Sequence, residues 1–461
     1  MAIDFKKQLK QGIKELQKNP SDIYDTLDRS ASVGPLRPVQ LTILKKWYEE
    51  RRDDKELIIK LPTGAGKTLI GLLILKSKLN SGEGPCLYIC PNNYLANQTK
   101  LEAERFGIEV CQFTQFNDIP REFLDGKAIL ITTAQKFFNG MTVFGLDARY
   151  IEIGTIVLDD SHACIDIVNN AFSITLNKGE GAYEELLDLF TPNLKQQGEG
   201  TFIDLCEGEF DSLMQIPYWS WEEKSSDVLR ILSKYKDVKE IKFSWSILKD
   251  IIPKCKAFIS GNSIEISPYY IPIEKFPAFQ NAKNKILMSA TTQNDTFLIQ
   301  GLGFRKETVS HPLVDPTLLW SGEKMLIIPE LLNADPAFSL ELRSHFSKLE
   351  YPFGSVAIVP SNKKSEFYTV NGAELISQED LIERVEYLKN NNYSKNRVNL
   401  VVISNKYDGI DLPDSACRFL ILDSLPYFQN LSDSYEERVR PSGDLIQKKR
   451  AQKIEQGLGR S

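Results

Sequence analysis

A glycine-rich loop between a short apolar strand and an apolar helix is the feature that most constrains the fold of this chain. The run Leu61-Pro62-Thr63-Gly64-Ala65-Gly66-Lys67-Thr68 follows Leu57-Ile58-Ile59-Lys60 and precedes an apolar segment, Leu69 to Leu75. Such a loop cradles phosphate, because its glycines let backbone N–H groups turn inward at a helix N-terminus. Leu61 replaces the first glycine of the G-x-x-x-x-G-K-[ST] pattern, but the flanking segments support the same interpretation. The alternative is an ordinary turn with a surface lysine.

The residues of this loop have the chemistry of a nucleoside triphosphate site. The ammonium group of Lys67 is placed to reach the β- and γ-phosphates, and the hydroxyl of Thr68 is the expected Mg²⁺ ligand. We therefore expect a nucleotide with Mg²⁺ to be bound by the following loop residues: Thr63, Gly64, Ala65, Gly66, Lys67 and Thr68.

Composition and charge narrow the class of protein. The chain has 461 residues, 42% hydrophobic and 26% charged, which predicts a globular protein of two or three domains. A net charge of −6 gives no overall attraction for nucleic acid, so any such contact must be local. The seven cysteines are scattered and include no C-x-x-C pair, which predicts a reduced, cytoplasmic protein without a structural metal. Neither a signal peptide nor a membrane-spanning segment is evident, so no membrane partner is expected.

Short apolar runs alternate with helical stretches, which is typical of parallel α/β sheets. A first series lies at Leu57–Leu61, Cys86–Cys90, Ala128–Ile131, Thr155–Leu158 and Lys285–Met288; a second lies at Met325–Ile328, Ser355–Val359, Asn399–Ile403 and Phe419–Leu422. The fold class is therefore α/β, with two parallel-sheet units in tandem. The predicted boundaries are an N-terminal helical segment (1–35), a first unit (36–165 and 281–320), a mainly helical insertion (166–280) and a second unit (321–461). The alternative for the insertion is a long loop, which is uncommon inside compact domains.

Two adjacent carboxylates, Asp159 and Asp160, follow the strand Thr155–Leu158 and precede Ser161-His162. At the edge of a sheet beside a phosphate loop, such a pair can hold Mg²⁺ and activate water. We expect Asp159 to hold the metal and Asp160 to orient or deprotonate the water that attacks the γ-phosphate. By itself, an acidic pair at a strand end is equally often a solvated turn or a helix cap.

The four residues Asp159-Asp160-Ser161-His162 resemble a DEAH box. Further segments resemble the motifs of the superfamily 2 helicases in their usual order. They are Leu36 to Gln40 (Q motif), Pro91 to Gln98 (Ia), Thr132 to Lys136 (Ib), Ser289 to Thr291 (III), Val359 to Ser361 (IV), Asp408 to Pro413 (V) and Gln456 to Arg460 (VI). The resemblance implies two RecA-like P-loop domains that bind ATP and Mg²⁺ between them. It covers most of the chain from residue 36 onward, except the insertion.

The resemblance also implies roles for particular residues. Catalytic roles fall on Lys67, Asp159, Asp160, Gln456 and Arg460; nucleotide contacts beyond the loop fall on Gln40, Gly409 and Asp411. Nucleic-acid contacts fall on Pro91, Asn92, Thr132, Thr133 and Ser361; coupling of hydrolysis to movement falls on His162, Ser289 and Thr291. The implied partner is single-stranded nucleic acid, DNA rather than RNA, with a protein partner in a larger complex as a further expectation.

Three features look most like the XPD/DinG branch: the long insertion, Gly409-Ile410-Asp411-Leu412-Pro413 and the later Leu425-Pro426-Tyr427. The chain departs from the expected pattern in three ways. Only Cys111 lies between motifs Ia and II, so we predict no iron–sulfur cluster. Asp160 replaces the usual glutamate and is one methylene shorter. The chain ends at Ser461, before the second arginine of motif VI. Either it lacks that arginine or, as we expect, it is a fragment of a longer protein.

Three functions are compatible with these motifs. The first is an ATP-dependent helicase or translocase that moves along a single strand. The second is an ATP-gated nucleic-acid clamp or scaffold with weak hydrolysis, which the short Asp160 favours. The third is a related motor on polypeptide or on duplex DNA that is not unwound. Two aromatic and basic segments are weaker candidates for strand contact: Tyr218-Trp219-Ser220-Trp221, more often an internal core, and Gln447-Lys448-Lys449-Arg450, more often a solvated helix face.

Overall fold

The structure is a computed structural model. It describes residues 16–31, 33–62, 64–114, 118–209, 211–289, 296–315, 325–348, 353–377, 380–389, 400–405, 407, 412, 416–428 and 430–458. Residues 1–15 of the N-terminal helical segment predicted at 1–35 lie outside these ranges.

The first part of the chain alternates helices with short strands. Its elements are α1 (Pro20–Thr26), α2 (Pro38–Lys46), β1 (Glu56–Lys60), α3 (Lys67–Asn80), β2 (Cys86–Cys90), α4 (Asn93–Phe106), β3 (Val110–Cys111), α5 (Arg121–Leu124), β4 (Ile129–Thr133), α6 (Ala134–Phe137), β5 (Gly145–Leu146), β6 (Arg149–Tyr150), β7 (Thr155–Leu158) and α7 (Ser161–Ala171). A π-helical turn, Trp47–Arg51, extends α2.

The middle of the chain forms the inserted region and then returns to the first sheet. Its elements are β8 (Ile174–Asn177), α8 (Gly181–Gln197), α9 (Glu199–Glu207), β9 (Leu213–Gln215), α10 (Tyr218–Glu223), α11 (Ser225–Lys234), α12 (Lys239–Leu248), β10 (Cys255–Ser260), β11 (Ser263–Pro268), α13 (Pro277–Gln280), β12 (Asn284–Ser289), α14 (Thr296–Gln300), α15 (Lys306–Ser310) and β13 (Leu313–Val314). Short 3₁₀ helices precede β10 and α13.

The last part of the chain contains the second α/β unit. Its elements are α16 (Pro329–Leu332), α17 (Pro336–Lys348), β14 (Ser355–Val359), α18 (Asn362–Thr369), β15 (Glu374–Leu375), α19 (Leu381–Lys389), β16 (Leu400–Ser404), β17 (Phe419–Leu422), α20 (Leu431–Val439) and α21 (Asp444–Leu458). Across the described ranges, the helices are all too short or too polar to cross a membrane.

The first unit is built on a seven-stranded sheet in the order β13-β1-β12-β7-β2-β4-β3. Neighbouring strands pair in parallel throughout. Helices cover both faces of such a sheet, so its strands are continuous apolar runs, as in β2, where every residue is buried. Helix α3 is also largely buried, because Leu69 to Leu75 pack on this sheet. The α/β fold class predicted from the sequence is confirmed.

The inserted region contains an antiparallel sheet that the sequence pattern did not predict. Helices supply most of its residues, but four strands pair in the order β8-β11-β10-β9. Its core lies between this sheet and the helices, where the ring of Trp221 stacks on Phe190 at 5.6 Å and its indole N–H donates to the carbonyl of Ile252 at 2.8 Å. The region is therefore a packed unit with its own core and not a long loop.

The second unit has a four-stranded parallel sheet in the order β15-β16-β14-β17. The predicted strands Ser355–Val359 and Phe419–Leu422 are present, and Asn399–Ile403 corresponds to β16. The strand predicted at Met325–Ile328 is wrong: these residues are exposed and outside any sheet, with Met325 89% exposed. Their apolar side chains have no neighbouring strand to pair with among the described residues, which the pattern alone does not reveal.

The inserted sheet contacts helix α20 of the second unit. The backbone N–H of Leu431 at the start of α20 donates to the buried carboxylate of Glu265 at 2.6 Å. Lys256 donates to the hydroxyl of Ser432 at 3.0 Å, and the rings of Phe258 and Tyr435 lie 5.2 Å apart. Residues of β10 and β11 therefore hold the N-terminal turn of a helix that follows more than 160 residues later in the chain.

A buried ion pair holds together the amino ends of β1 and β12. The ammonium group of Lys285 lies 3.2 Å from Glu56, and both side chains are at most 6% exposed. Burial raises the pKa of Glu56, but the hydrogen bond from the backbone N–H of Arg305 and the charge of Lys285 outweigh it, so this pKa lies below its ordinary value. Glu56 is therefore a carboxylate in the fold, and stability depends on its charge.

We predict that Glu56→Gln lowers the free energy of unfolding by about 3–5 kcal/mol, because it leaves Lys285 buried without a counter-ion. The wild-type contribution is complete above the ordinary pKa of a glutamate and is lost as the pH falls through the lowered pKa of Glu56. Urea unfolding at neutral and acidic pH measures both effects. Arg305→Ala is the matched control: Arg305 is 62% exposed, so its loss should cost less than about 1 kcal/mol. Equal losses in the two variants would contradict the prediction.

Candidate nucleotide-binding site

The predicted site residues of the first unit lie at one edge of the seven-stranded sheet. Strands β1, β12, β7, β2 and β4 are parallel, so their carboxyl ends share this edge. The phosphate loop follows β1, Asp159 follows β7, Pro91 follows β2 and Ser289 ends β12. Ser289 pairs with Lys60, and its carbonyl accepts the N–H of Leu61 at 2.9 Å. The predicted coupling residue Ser289 is thus bonded to the first residue of the phosphate loop.

The phosphate loop has the backbone that a phosphate cradle needs. Gly64 and Gly66 both have φ of +79°, a left-handed conformation that side chains other than glycine rarely adopt. Gly66 immediately precedes α3, which begins at Lys67 and Thr68. The guanidinium of Arg37 donates to the carbonyl of Gly64 at 2.6 Å, so the segment before α2 restrains the loop. Thr63 lies outside the described residues.

Gln40 lies directly over the phosphate loop. Its side-chain carbonyl accepts the backbone N–H of Arg37 at 2.9 Å, and its amide nitrogen is 2.2 Å from the position that a Cβ on Gly66 would occupy. The side chain is 5% exposed. The structure therefore brings Gln40 and the loop together, while the contact of Gln40 with an adenine edge, which the Q-motif resemblance implies, stays a prediction.

Asp159 is held by two hydrogen bonds at the carboxyl end of β7. Its Oδ1 accepts the backbone N–H of Asp160 at 2.9 Å, and its Oδ2 accepts the hydroxyl of Tyr88 at 2.7 Å. Burial raises the pKa of Asp159 above its ordinary value, although the charge of Lys67 and the bond from Tyr88 oppose the shift. Lys67 and Asp159 are thus close enough to interact electrostatically. A carboxylate beside the lysine of a phosphate loop fits a Mg²⁺ bound to a nucleotide.

Asp160 has an unusual backbone conformation. Its φ of 43° and ψ of 60° are left-handed, which costs a residue other than glycine about 1–2 kcal/mol. It forms the N-cap position of α7, whose first turn contains His162. The side chain of His162 is outside the described part of the structure. The conformation at Asp160 turns the chain sharply from the strand into the helix beside the phosphate loop.

Candidate nucleic-acid residues lie further along the same edge, and several of them cap helices. Asn92 accepts the N–H of Leu95 at 2.9 Å and caps α4; Thr133 accepts the N–H of Lys136 at 3.3 Å and caps α6. The hydroxyl of Thr132 is buried and has no partner among the described residues. Pro91 is buried just before Asn92. The two threonines therefore differ: one hydroxyl is used by the fold and the other is not.

The predicted residues of the second unit are only partly described. Ser361 accepts the N–H of Lys364 at 3.4 Å and caps α18. Gln456 lies on α21 beside Gly457, which packs against Leu422 and Tyr407. Within the described part of the chain, no hydrogen bond joins Gln456 to the phosphate loop. Thr291, Gly409, Asp411 and Arg460 lie outside the described residues.

The aromatic segment of the insertion divides into two parts. Trp221 belongs to the core of the inserted region, whereas Tyr218 and Trp219 are 65% and 59% exposed and contact each other edge to face. Of this segment, only these two remain candidates for base stacking.

The seven cysteines form no disulfide, and no group of three or more candidate metal ligands occurs among the described residues. The lack of an iron–sulfur cluster stays a prediction.

Two residues that touch this site were missed at the level of sequence. Tyr88 contacts Asp159 from the middle of a strand, and Arg37 contacts the loop from the start of the Q-motif segment. Arg37 adjoins Gln40 in sequence and could have been found from that motif. Tyr88 is 71 residues from Asp159, and its only signal is a tyrosine between two cysteines in an apolar strand.

We predict that Gly66→Ala lowers nucleotide affinity at least about tenfold, because the new Cβ strikes the amide of Gln40 and the left-handed backbone resists a side chain. Titration with a fluorescent ATP analogue measures this. Gly82→Ala is the matched control, since Gly82 has φ of +74° but a Cβ added there would meet no described atom within 4 Å. The control should lose a similar amount of stability and keep its nucleotide affinity. A loss of affinity in both variants would show that backbone strain alone explains the result.

Known proteins resemble the chain in this same region. Residues 34–195 match the family described as "Type III restriction enzyme, res subunit" (ResIII). ATP-dependent DNA helicase Hel308 of Pyrococcus abyssi is 32% identical over 122 residues, which are 26% of this chain and 17% of that protein. Hel308 of Pyrococcus horikoshii is 35% identical over 108 residues, 23% of this chain and 15% of that protein. The matches therefore span less than a fifth of the length of these relatives.

Solved structures extend the similarity to almost the whole chain. The structure of S. tokodaii Xpd4 covers 92% of this chain and 92% of its own length, with a TM-score of 0.54 and 17% identity. A structure titled XPD_Helicase covers 93% of each chain, with a TM-score of 0.51 and 16% identity. The ordered motifs, the matched family and the shared fold agree with one another. The matched family and the Hel308 relatives support a helicase of superfamily 2, and the fold of the chain is similar to that of the XPD structures.

Proposed function

We propose that this protein is an ATP-dependent nucleic-acid helicase or translocase of the DEAH-like type, which hydrolyses ATP to move along a single strand, DNA in preference to RNA. One observation carries the proposal: the phosphate loop and the Asp159-Asp160 pair meet at the carboxyl edge of one parallel sheet, in a chain with a second parallel α/β unit. Ligands bind at this edge in open α/β sheets. The share of the Hel308 relatives that the chain matches is small, so the proposal rests mainly on this site.

The site residues divide the chemistry among themselves. The loop N–H groups and Lys67 hold the phosphates, and Thr68 with Asp159 would hold Mg²⁺, which neutralises charge on the phosphates when it is bound. Asp160 would accept a proton from the attacking water or orient it. Gln40 would contact the adenine, and Gln456 and Arg460 would complete the site from the second unit. Strand β12 lies between β1 and β7, so the two strands that carry the loop and the carboxylates are about 10 Å apart.

A single strand would follow the carboxyl ends of β2 and β4. The N-terminus of α4 lies there, and helix N-termini favour phosphate groups. The hydroxyl of Thr132 is buried and lacks a partner among the described residues, so a phosphate oxygen would reach it only if the end of β4 opened. Such contacts do not distinguish base sequence, as a translocase requires. Ser361 would contact the strand from the second unit, and Ser289 would transmit the state of the loop through its bond to Leu61.

The domain division fits this mechanism. We propose residues 36–165 with 281–320 as the first RecA-like domain, 166–280 as the insertion and 321–461 as the second domain, following the three larger sheets. Closure of the two RecA-like domains on ATP and their opening after hydrolysis would move the strand. The localisation proposed for such a protein is cytoplasmic, and a protein partner is a further proposal.

A nucleic-acid clamp with weak hydrolysis is the second candidate, and the backbone of Asp160 favours it. The side chain is one methylene shorter than the glutamate of the motif, and it starts from a strained, left-handed backbone. If this geometry does not bring the carboxylate to the attacking water, ATP would be bound but hydrolysed slowly. Strand-displacement measurements separate this function from that of a helicase.

We predict ATP hydrolysis that single-stranded DNA stimulates more than RNA does, and that Lys67→Ala reduces at least about tenfold, because the lysine stabilises charge in the transition state. Phosphate release with and without each strand measures this. Lys127→Ala is the control, since that lysine is 71% exposed and pairs with Asp125 at 3.1 Å, at the surface. Turnover that neither strand stimulates, or that survives Lys67→Ala, would contradict the proposed motor.

The role of Asp160 has its own test. We expect Asp160→Asn to lower turnover by about 10²–10⁴-fold while nucleotide binding persists, because a general base is lost and the loop is not. Asp125→Asn, an exposed aspartate on the same sheet unit, should change neither property. If Asp160→Asn leaves a slow wild-type rate unchanged and the strand still binds in the presence of ATP, the clamp is the better description.

A further inference from the structure

Tyr88 is a fully buried side chain whose hydroxyl ends at the nucleotide site. It lies in β2, where Cys86 and Cys90 flank it on the same face. Tyr88 pairs in register with Val157 of β7, two residues before Asp159. A tyrosine side chain spans roughly the two-residue rise of a strand, about 6.6 Å, so its hydroxyl reaches the carboxylate of Asp159 at 2.7 Å.

The neighbouring helix makes room for this ring. Gly71 lies inside α3, where a glycine costs about 1 kcal/mol relative to alanine. A Cβ at Gly71 would lie 2.9 Å from Cε2 of Tyr88 and 2.8 Å from Cε of Met288, both too close. The glycine in the helix and the tyrosine in the strand therefore depend on each other.

The hydroxyl of Tyr88 donates a hydrogen bond that a phenylalanine would lack. A phenylalanine would fill the same apolar space without carrying a buried hydroxyl that needs a partner of its own. The hydroxyl donates a hydrogen bond to Oδ2 of Asp159, and the backbone N–H of Asp160 donates one to Oδ1. With a donor on each oxygen, the carboxylate is restrained against rotation about its terminal torsion, which is otherwise broad.

We propose that Tyr88 is a positioning residue for magnesium-nucleotide binding, which acts by fixing the orientation of the Asp159 carboxylate. The proposal rests on the function proposed above. Mg²⁺ requires nearly ideal octahedral geometry, so it is sensitive to the orientation of a ligand. Outer groups that orient metal ligands commonly change metal affinity by about 10–100-fold when removed. Gly71 belongs to the same arrangement, because it admits the ring.

The test measures metal dependence of binding rather than turnover. The full chain and Tyr88→Phe are titrated with a fluorescent ATP analogue at increasing Mg²⁺ and in EDTA. We expect Tyr88→Phe to raise the Mg²⁺ concentration for half-maximal enhancement of affinity by about 10–100-fold, with the affinity in EDTA unchanged. An unchanged Mg²⁺ dependence in Tyr88→Phe would overturn the proposal. If the wild-type chain binds no analogue under any condition, the proposed function itself fails.

Tyr183→Phe is the matched control. Tyr183 is also fully buried, and its hydroxyl donates to the carbonyl of Ser260 at 3.1 Å within the inserted region. The variant Tyr183→Phe also loses a buried hydroxyl, so it reports how much this substitution costs in stability away from the nucleotide site. Its Mg²⁺ dependence should equal that of the wild type. An equal shift in both variants would overturn the specific role of Tyr88.

Two further measurements test the proposal. A double-mutant cycle shows whether Tyr88 acts through Asp159, and the variant Gly71→Ala does not depend on the folding of Tyr88→Phe. If Tyr88 acts through Asp159, adding Tyr88→Phe to Asp159→Asn should change the Mg²⁺ dependence no further; additive shifts would overturn the proposal. Gly71→Ala retains the hydroxyl and favours the helix but displaces the ring. It should raise the half-maximal Mg²⁺ concentration as well, and a wild-type value there would count against the proposal.

Discussion

The parallel pairing of β1, β12 and β7 is the constraint on which the candidate site depends. Parallel strands place their carboxyl ends together, so Leu61, Asp159 and Ser289 meet at one edge although they are far apart in sequence. Strand β12 lies between the other two, although the chain forms the whole inserted region before it reaches this strand. Its last residue, Ser289, then bonds to Leu61. The folding of the insertion and the geometry of the phosphate loop are therefore linked through a single strand.

Local features of the site could be predicted from sequence, and its long-range contacts could not. The phosphate loop, its strand and its helix are continuous in sequence, so their residue types indicate the fold directly. The contact of Tyr88 with Asp159 joins different strands, and Gly71 looks like a weak position in a helix until the ring beside it is seen. Strands β8 and β9 of the inserted sheet are short and separated from the other strands by helices, as the pairing of Thr175 with Glu265 shows. Strands β10 and β11, in contrast, form a hairpin joined only by Gly261 and Asn262, a signal that the sequence analysis missed. At Met325–Ile328 the apolar pattern indicated a strand, but a strand also needs a partner.

The inserted region contacts both α/β units. It leaves and re-enters the first unit through β7 and β12, and its sheet holds the start of α20 in the second. Burial raises the pKa of Glu265, although the N–H groups at the start of α20 oppose the shift. Separation of α20 would expose Glu265 and Lys256 and part the rings of Phe258 and Tyr435. Any movement between the units must therefore carry the insertion along or break these contacts.

The strained residue Asp160 is connected to Tyr88 through the carboxylate of Asp159. Asp160 adopts a left-handed backbone that is uncommon for residues other than glycine, and non-glycine strain of this kind occurs mostly at functional sites. The backbone N–H of the same residue donates to Asp159, whose other oxygen is held by Tyr88. Relaxing the backbone of Asp160 would therefore free one oxygen of its neighbour. The strained backbone and the shorter side chain together set where the carboxylate of Asp160 lies, so the two features have to be considered together.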